Sequence, residues 1–346
     1  MNKHNVIAVD LAKTVFQICV LNKTNEVISN REMRASRFEH YLAKQKRSLV
    51  AFEACGRAQH WARKAQSYGH EAVLLPPKAV AAYRQGHKTD SNDALAIGIA
   101  AGQPTIKPAG IKTLEQQSLQ TDLRVYKHLS DQLTATGNML RGLLAEFGIE
   151  IPKSVRKLKA QIPLILEDAE NGLPYCARES LFQGWRLWKY QSERIHALDN
   201  RLKERMRENE HCQQLTQLES VGVKNAIGLY VELGNGRHFK NGRNASACIG
   251  VSPKQHSSGG KVNIGTIGKY CGNQRLRSSL ITGAHSVIQQ LERREPRTEK
   301  ERWLKALIAR RGKGRAAVAL ANKTVRTAWS MLYYKEPYKA VLLPVS

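Results

Sequence analysis

An aspartate closing an apolar, strand-forming run constrains this chain more than any other feature. Residues 5–21 read NVIAVDLAKTVFQICVL. The alternating, β-branched character favours two adjacent strands over a helix. Asp10 ends the first run, and a carboxylate among apolar strand residues needs a compensating partner. SLVAFEACG at 48–56 repeats the arrangement, with Glu53 after the apolar LVAF and Gly56 as the stop. VISNREM at 27–33 reads as a third strand pairing with the second. RFEHYLAKQ at 37–45 has helical spacing, with Phe38, Tyr41 and Leu42 on one face. RAQHWARKAQSYG reads as a helix closed by Gly69, and HEAVLLP as a strand stopped by Pro76 and Pro77. TDSNDALAIGIAAG then predicts a helix capped by Asp90 or Ser91 and running to Gly102. Three antiparallel-compatible strands followed by alternating helices and strands describe an α/β domain with a mixed sheet.

Four of the acidic residues in that domain stand in placed positions: Asp10, Glu53, Asp90 and Asp93. The last two are three apart, which on a helix puts both carboxylates on one face. Brought together, the four would repel one another unless cations neutralise them. Magnesium, a hard oxygen-seeking ion, suits such a set, and a pair of ions would activate attack on a phosphodiester and steady its leaving oxygen. The alternative makes Asp90 a cap, Asp93 a partner of the helix dipole and Asp10 a turn former. Spacing leaves both readings open. Actin-like sugar kinases also begin strand–Asp–turn–strand, but here the turn is DLAKT, without glycine, and no phosphate-cradling motif follows.

The charge balance speaks to partners. Lys plus Arg number 55 and Asp plus Glu 29, a net charge of +26, and 42% of residues are hydrophobic. A folded chain of that charge favours a polyanion, nucleic acid or an anionic membrane surface. Residues 251–346 hold 19 basic and 5 acidic residues, net +14, against +8 for 1–110 (16 and 8) and +4 for 111–250 (20 and 16). The likeliest nucleic-acid surface is therefore the last stretch, around Lys254, Lys261, Arg311, Lys313 and Arg315. No run approaches 18 apolar residues, so neither a membrane span nor a secretory signal is expected. The six cysteines are scattered without a C-x-x-C pair, which argues against structural zinc and for a reducing, cytoplasmic compartment.

Leucines recur at helical spacing over 111–146, and a second such stretch spans 181–218 with Ile195, Leu198 and Leu202 on one face. Two long amphipathic helices separated by a Pro/Gly-containing segment fit an oligomerising coiled-coil arm or bundle packing within one chain. ESVGVKNAIGLY resembles a helix–hairpin–helix, with Lys224 in place of the usual second glycine. PKQHSSGGK at 253–261 places Ser257 and Ser258 before two glycines, bracketed by His256, Lys254 and Lys261. Such a serine could attack a phosphate; equally, the segment could be a flexible loop meeting phosphate through its amides.

Together these residues form a family pattern. AVDLAKTVFQICVL, FEACGRAQHWAR, KAVAAYRQGHKTDSNDALAIGIA, FKNGRNASACIGVSPKQHSSGGK and RRGKGRAAVALANKTVRTAW resemble the DEDD-type insertion-sequence transposases of the IS110 group, in particular their IS1111 branch, a family that includes the Piv DNA invertases. The resemblance spans nearly the whole chain in order. It implies an α/β RuvC-like (RNase-H-type) catalytic domain over 1–108, a helical coiled-coil arm over 109–218 and a mainly α-helical transposase domain over 219–346. It further implies magnesium, or manganese in its place, on Asp10, Glu53, Asp90 and Asp93. The family's catalytic serine precedes the glycine of its SG motif, matched by Ser258, with Ser257 adjacent. The partners implied are element and target DNA, a bridge RNA and further copies of the chain, as a tetramer built from two dimers in which the serine of one protomer completes the carboxylate site of another. The expected activity is excision and insertion of a mobile element in the bacterial cytoplasm, at the nucleoid. Two rivals share parts of the pattern: a RuvC-like Holliday-junction endonuclease that only nicks, and a catalytically decayed nucleic-acid-binding protein. The hairpin departs from the family's common PGIG form, having VGVK at 221–224.

Overall fold

The computed structural model describes residues 4–268 and 271–344. They form two compact units, 1–113 and 114–346. The first is the expected α/β domain. Its elements are β1 (Val6–Leu11), β2 (Val15–Leu21), β3 (Val27–Arg34), α1 (Ala35–Lys44), β4 (Leu49–Glu53), α2 (Ala58–Ser67), β5 (Glu71–Leu75), α3 (Pro77–Ala81) and α4 (Asp90–Ala101). The sheet order is β3-β2-β1-β4-β5. β1 pairs antiparallel with β2 and parallel with β4, which in turn pairs parallel with β5.

Strand alternation divides the side chains between two cores. Ile7, Val9, Phe16, Ile18, Val50 and Phe52 pack with Phe38 and Leu42 of α1 and Trp61 of α2. Val6, Ala8, Cys19, Leu21 and Ala51 pack on the other side with Ala94, Ile97 and Ala100 of α4. α4 lies tight against the sheet because Gly98 has no side chain. A Cβ there would come within 2.3 Å of Leu21 Cδ1 and 3.2 Å of Ala8 Cβ. The cap of α4 differs from the sequence expectation. Thr89 holds it, its side-chain oxygen accepting from the amide of Asn92. Asp90 and Ser91 are helical residues beyond the cap, so both Asp90 and Asp93 lie in the first turn.

The second unit contains α5 (Leu114–Ala145), α6 (Val155–Glu167), α7 (Tyr175–Glu208), α8 (Glu210–Leu215), α9 (Val223–Leu233), α10 (Gly242–Ile249), β6 (Pro253–Ser258), β7 (Lys261–Ile267), α11 (Gln274–Leu291), α12 (Glu299–Arg311) and α13 (Lys313–Tyr334). The two long helices are present as α5 and α7, each roughly 50 Å long, and they pack on one another. Their register is fixed by buried Asp122 of α5, which pairs with Arg205 (2.9 Å) and Arg201 (3.6 Å) of α7. The segment between them is more ordered than its Pro/Gly content suggests. It holds α6, capped by Ser154 and carrying Pro163 within it. Leu158 and Ile162 of α6 complete a core with Leu140, Leu144, Leu181, Trp185 and Trp188. A larger core joins α8, α9, α10, α11 and α13 through Leu215, Ile227, Ile249, Leu280 and Val325. The serine–glycine segment is a β-hairpin rather than an irregular loop. Ser258 pairs with Lys261 across a two-residue turn whose glycines, Gly259 and Gly260, have φ of 55° and 77°, as a tight hairpin turn requires.

Gly98→Val should destabilise the protein by about 1–3 kcal/mol, the range for overpacking a filled core. Urea denaturation followed by circular dichroism measures it. An unchanged midpoint would show that α4 is free to lift from the sheet.

Candidate active site

The sheet delivers two carboxylates to one edge. Val9 pairs with Phe52 in the parallel β1–β4 ladder, so the next residues, Asp10 and Glu53, stand side by side at the carboxyl ends of adjacent strands. Open α/β sheets place their ligands at that edge. Asp10 shares its face of the sheet with Val6 and Ala8, and Glu53 with Ala51, the residues packed against α4. Both carboxylates therefore face the side on which α4 begins with Asp90 and Asp93. Asp10, Glu53 and Asp93 are half-buried and Asp90 is exposed, so the group opens to solvent.

A relay of side-chain amides links the sheet to the start of α4. Gln17, the residue opposite Asp10 on β2, donates Nε2 to Asn30 Oδ1 on β3 at 2.7 Å. Asn30 Nδ2 in turn donates to the carbonyl and hydroxyl of Ser91, at 3.0 and 2.8 Å. Arg57, just after the Glu53 strand, clamps the turn that follows Asp10. Its Nη1 donates to the carbonyls of Ala12 and Lys13 at 2.5 and 2.7 Å, with the guanidinium over the Phe16 ring.

The charges are coupled. Burial, and then the negative charges of Asp90, Asp93 and Glu53, hold the Asp10 carboxyl above its ordinary range. A hydrogen bond from the Leu11 backbone opposes the shift. A proton stays longest where a second negative charge is least welcome. Arg84 offsets part of the repulsion, its Nη1 lying 3.1 Å from Asp93 Oδ1. Sequence reasoning missed Arg57 and Arg84, since both act through partners that only the tertiary fold reveals. Chemically, four oxygen donors and no sulfur or imidazole suit a hard divalent cation. Among the described residues, no three His, Cys, Asp or Glu side chains are close enough together to form one ion's ligand set as they stand.

The remaining predicted site residues lie in the second unit. Ser257 and Ser258 are exposed on β6. Alternation puts them on opposite faces of the hairpin: Ser258 with His256 and its cross-strand partner Lys261, Ser257 with Gln255 and its partner Val262. Lys254 is exposed on the same strand. Arg311 ends α12, and Lys313 and Arg315 begin α13 after Gly312. Lys313 is ion-paired with Glu292 at 2.5 Å. Lys224, in the helix–hairpin–helix-like segment, is engaged internally with Asp199 (2.8 Å) and the Tyr126 hydroxyl (3.0 Å).

Comparison with known proteins gives two family matches. Residues 7–149 match the DEDD transposase model of the IS110 type, and residues 212–299 match the model described as Transposase IS116/IS110/IS902 family. The chain is 35% identical, over 98% of its length and 92% of the relative's, to the transposase for insertion sequence element IS1111A of Coxiella burnetii. A Pseudomonas aeruginosa protein named "Probable family 20 transposase" is 33% identical over 96% of this chain and 98% of its own. The transposase for insertion sequence element IS1328 of Yersinia enterocolitica is 29% identical over 94% and 95%.

Coupling among the carboxylates has a consequence for stability. Because the folded chain binds the Asp10 proton more tightly than the unfolded chain, ionising Asp10 opposes folding. The cost appears as pH rises through 3.8, the ordinary value, and is complete above the raised folded value. In metal-free buffer at pH 7, Asp10→Asn should therefore raise the melting temperature. The gain should shrink as pH falls towards 3.8. Differential scanning calorimetry with chelator reads this; a lower melting temperature at pH 7 would make Asp10 a structural carboxylate.

Proposed function

The chain belongs to the IS116/IS110/IS902 family of DEDD-type transposases, and on that premise we propose how its residues cut and rejoin DNA. As a family member it is a DNA-cleaving, strand-transferring enzyme. The observation that carries the reading is geometric: Asp10 and Glu53 stand at the ends of adjacent parallel strands, on the face of the sheet against which α4 begins with Asp90 and Asp93. On this reading the first unit is a RuvC-like catalytic domain over 1–108, and Asp10, Glu53, Asp90 and Asp93 hold magnesium, or manganese in its place. The bound ion supplies Lewis-acid stabilisation of charge on the scissile phosphate. Asp93, now paired with Arg84, would be one of the residues to hold the ion, and the Gln17–Asn30–Ser91 relay keeps the first turn of α4 in place beside the sheet.

Ser258 is the nucleophile. Its Oγ bonds to the scissile phosphorus while the bond to the departing strand-end oxygen breaks; that oxygen takes a proton and leaves as a hydroxyl. The phosphoserine ester is resolved when the hydroxyl of an incoming strand attacks the same phosphorus and releases Ser258. Its exposure and its shared face with His256 and Lys261 support this choice over Ser257, since both neighbours can meet phosphate. Lys254, Lys261, Arg311, Lys313 and Arg315 contact nucleic-acid backbone, with Lys313 first released from Glu292.

The residues from 109 to 218 serve as a coiled-coil arm, and those from 219 to 346 as the transposase domain. The resemblance extends the proposal to a tetramer and to guidance by a bridge RNA, acting in the cytoplasm at the nucleoid. The exposed Met139, Leu143, Phe182 and Leu187 on the long helices support association through the arm, as apolar surface of this kind marks interaction sites. Among the described residues no helix is long and apolar enough to cross a membrane.

The test is a recombination reaction containing magnesium, both DNA partners and the candidate guide RNA, stopped with denaturant. DNA should remain attached to wild-type protein through a serine phosphodiester. Ser258→Ala should lose the adduct, and Asp10→Asn should lower cleavage at least a thousandfold while nucleic-acid binding persists. Mixing the two variants should restore some cleavage, because one chain can lend its serine to the other's carboxylates. Adduct formation that survives in Ser258→Ala and vanishes in Ser257→Ala would move the nucleophile by one residue. Nicking without rejoining would leave an endonuclease.

A further inference from the structure

The second unit contains a groove of about 1670 Å³ bounded by α10, α12, α13 and the root of the hairpin. It exceeds the roughly 300–1,000 Å³ of small-molecule sites, so its size suits a stretch of polymer. Five cations line it: Arg243, Arg311, Arg315, Lys323 and Arg326. No Asp or Glu does so among the described residues, and none of the five is ion-paired there.

The contrast with neighbouring cations is sharp. Arg294 pairs with Glu301 at 2.5 Å, Lys300 with Glu219 at 2.6 Å, Lys305 with Glu295 at 2.7 Å and Lys313 with Glu292 at 2.5 Å. Arg302 pairs with Glu299. The few acidic residues of this region thus neutralise cations elsewhere, and the groove keeps its charge for an outside anion. Apolar and aromatic side chains share its wall with uncharged polar ones, among them Asn241, Asn322 and Thr327. Trp303, Leu307 and Val318 line it, with the Lys323 ammonium 4.5 Å from the Trp303 ring centroid. A duplex presents phosphates outward and hides its base faces, whereas an unpaired strand offers both. Cations around an aromatic and apolar wall are the combination that holds single strands. The groove is also tied to the serine hairpin: Asn322 Nδ2 donates to the Val251 carbonyl and the Ser252 hydroxyl, both at 3.2 Å, at the foot of β6.

We propose that this groove binds one unpaired strand of DNA, its phosphates on the five cations and a base face against Trp303. The proposal rests on the reading of the chain as a strand-transferring enzyme, since a cut strand must leave its old complement before it is joined elsewhere. Lys323 swings from the ring to a phosphate as the base arrives. Arg243, Trp303, Lys323 and Arg326 join the Arg311 and Arg315 already assigned to backbone contact.

Fluorescence anisotropy of the full chain in chelator, with a labelled 12-nucleotide DNA strand of mixed sequence, tests this apart from catalysis. The strand should bind at least about fivefold more tightly than the corresponding 12-base-pair duplex. Trp303→Ala should weaken strand binding roughly tenfold with little change in salt dependence, the size expected for one lost stacking contact. Trp303→Phe should keep most of the affinity and, since Trp303 also packs against the α11–α13 core, guards against mere unfolding. Arg315→Gln with Arg326→Gln should flatten the slope of log affinity against log salt by about 1.4. A 5-iodouracil strand should cross-link to the peptide containing Trp303 on irradiation. Equal affinity for duplex, tenfold tighter binding of the matching RNA, or cross-links confined to other peptides would each overturn the proposal. Loss of the serine adduct with groove binding intact would fault the catalytic reading, and the converse would fault the groove.

Discussion

Mutual repulsion among Asp10, Glu53, Asp90 and Asp93 is the constraint on which the first unit's design depends. Left to themselves, carboxylates at one edge would spread apart, so the fold must hold them against their own charge. It does so with the parallel pairing of β1 and β4, whose neighbouring apolar residues are buried on both faces. Shifting either strand by one residue would turn its apolar side chains to the wrong layer. Asp10 and Glu53 are thus positioned by the burial of Val9 and Phe52 beside them. α4 is pinned in the same way, by the close approach at Gly98 and by the hydrogen bond from Asn30 to Ser91. What packing cannot remove is the electrostatic cost itself: burial first, and then the neighbouring carboxylates, hold the Asp10 carboxyl above its ordinary range.

Positive charge is managed by the opposite means in the second unit. There the cations outnumber the acids, and the acids are spent at particular places: Asp122 between the long helices, Glu219 under Lys300 and Tyr338, Glu301 on Arg294. These pairs fix helices and the C-terminal segment to one another. Cations left over gather along α12, α13 and the hairpin. Four carboxylates gathered at one place in a net-positive first unit, and unpaired cations in the second, suit an enzyme that acts on a phosphodiester backbone.

Much of this was legible in the residues because it rests on local periodicity. Strands β1 to β5 and helices α1, α2 and α4 follow from alternation, from helical spacing and from glycine and proline stops, and the placed carboxylates stand out against apolar neighbours. The cap of α4 lies one or two residues before the position that sequence suggests because Thr89, Asp90 and Ser91 are all good capping residues, and only the backbone geometry selects among them. α6 was hidden by Pro163, which tertiary packing of Leu158 and Ile162 tolerates inside the helix. The serine hairpin was ambiguous because its strands, PKQHSS and KVNIGTI, are almost wholly exposed and lack the apolar alternation of a buried sheet. Arg57, Arg84 and the Gln17–Asn30–Ser91 relay have no local signal at all; each exists only through contacts distant in sequence or across a turn.

The central claim is that the four carboxylates act as one cation site whose repulsion a bound ion relieves. Titration of the full chain with manganese, followed by electron paramagnetic resonance at constant ionic strength, tests it directly. Saturable binding should appear in wild type and weaken at least tenfold in Glu53→Gln and in Asp90→Asn, residues that come from opposite sides of the site. Arg84→Gln should bind manganese more tightly, because Asp93 then loses its competing partner. Undiminished binding in both carboxylate variants would contradict the account.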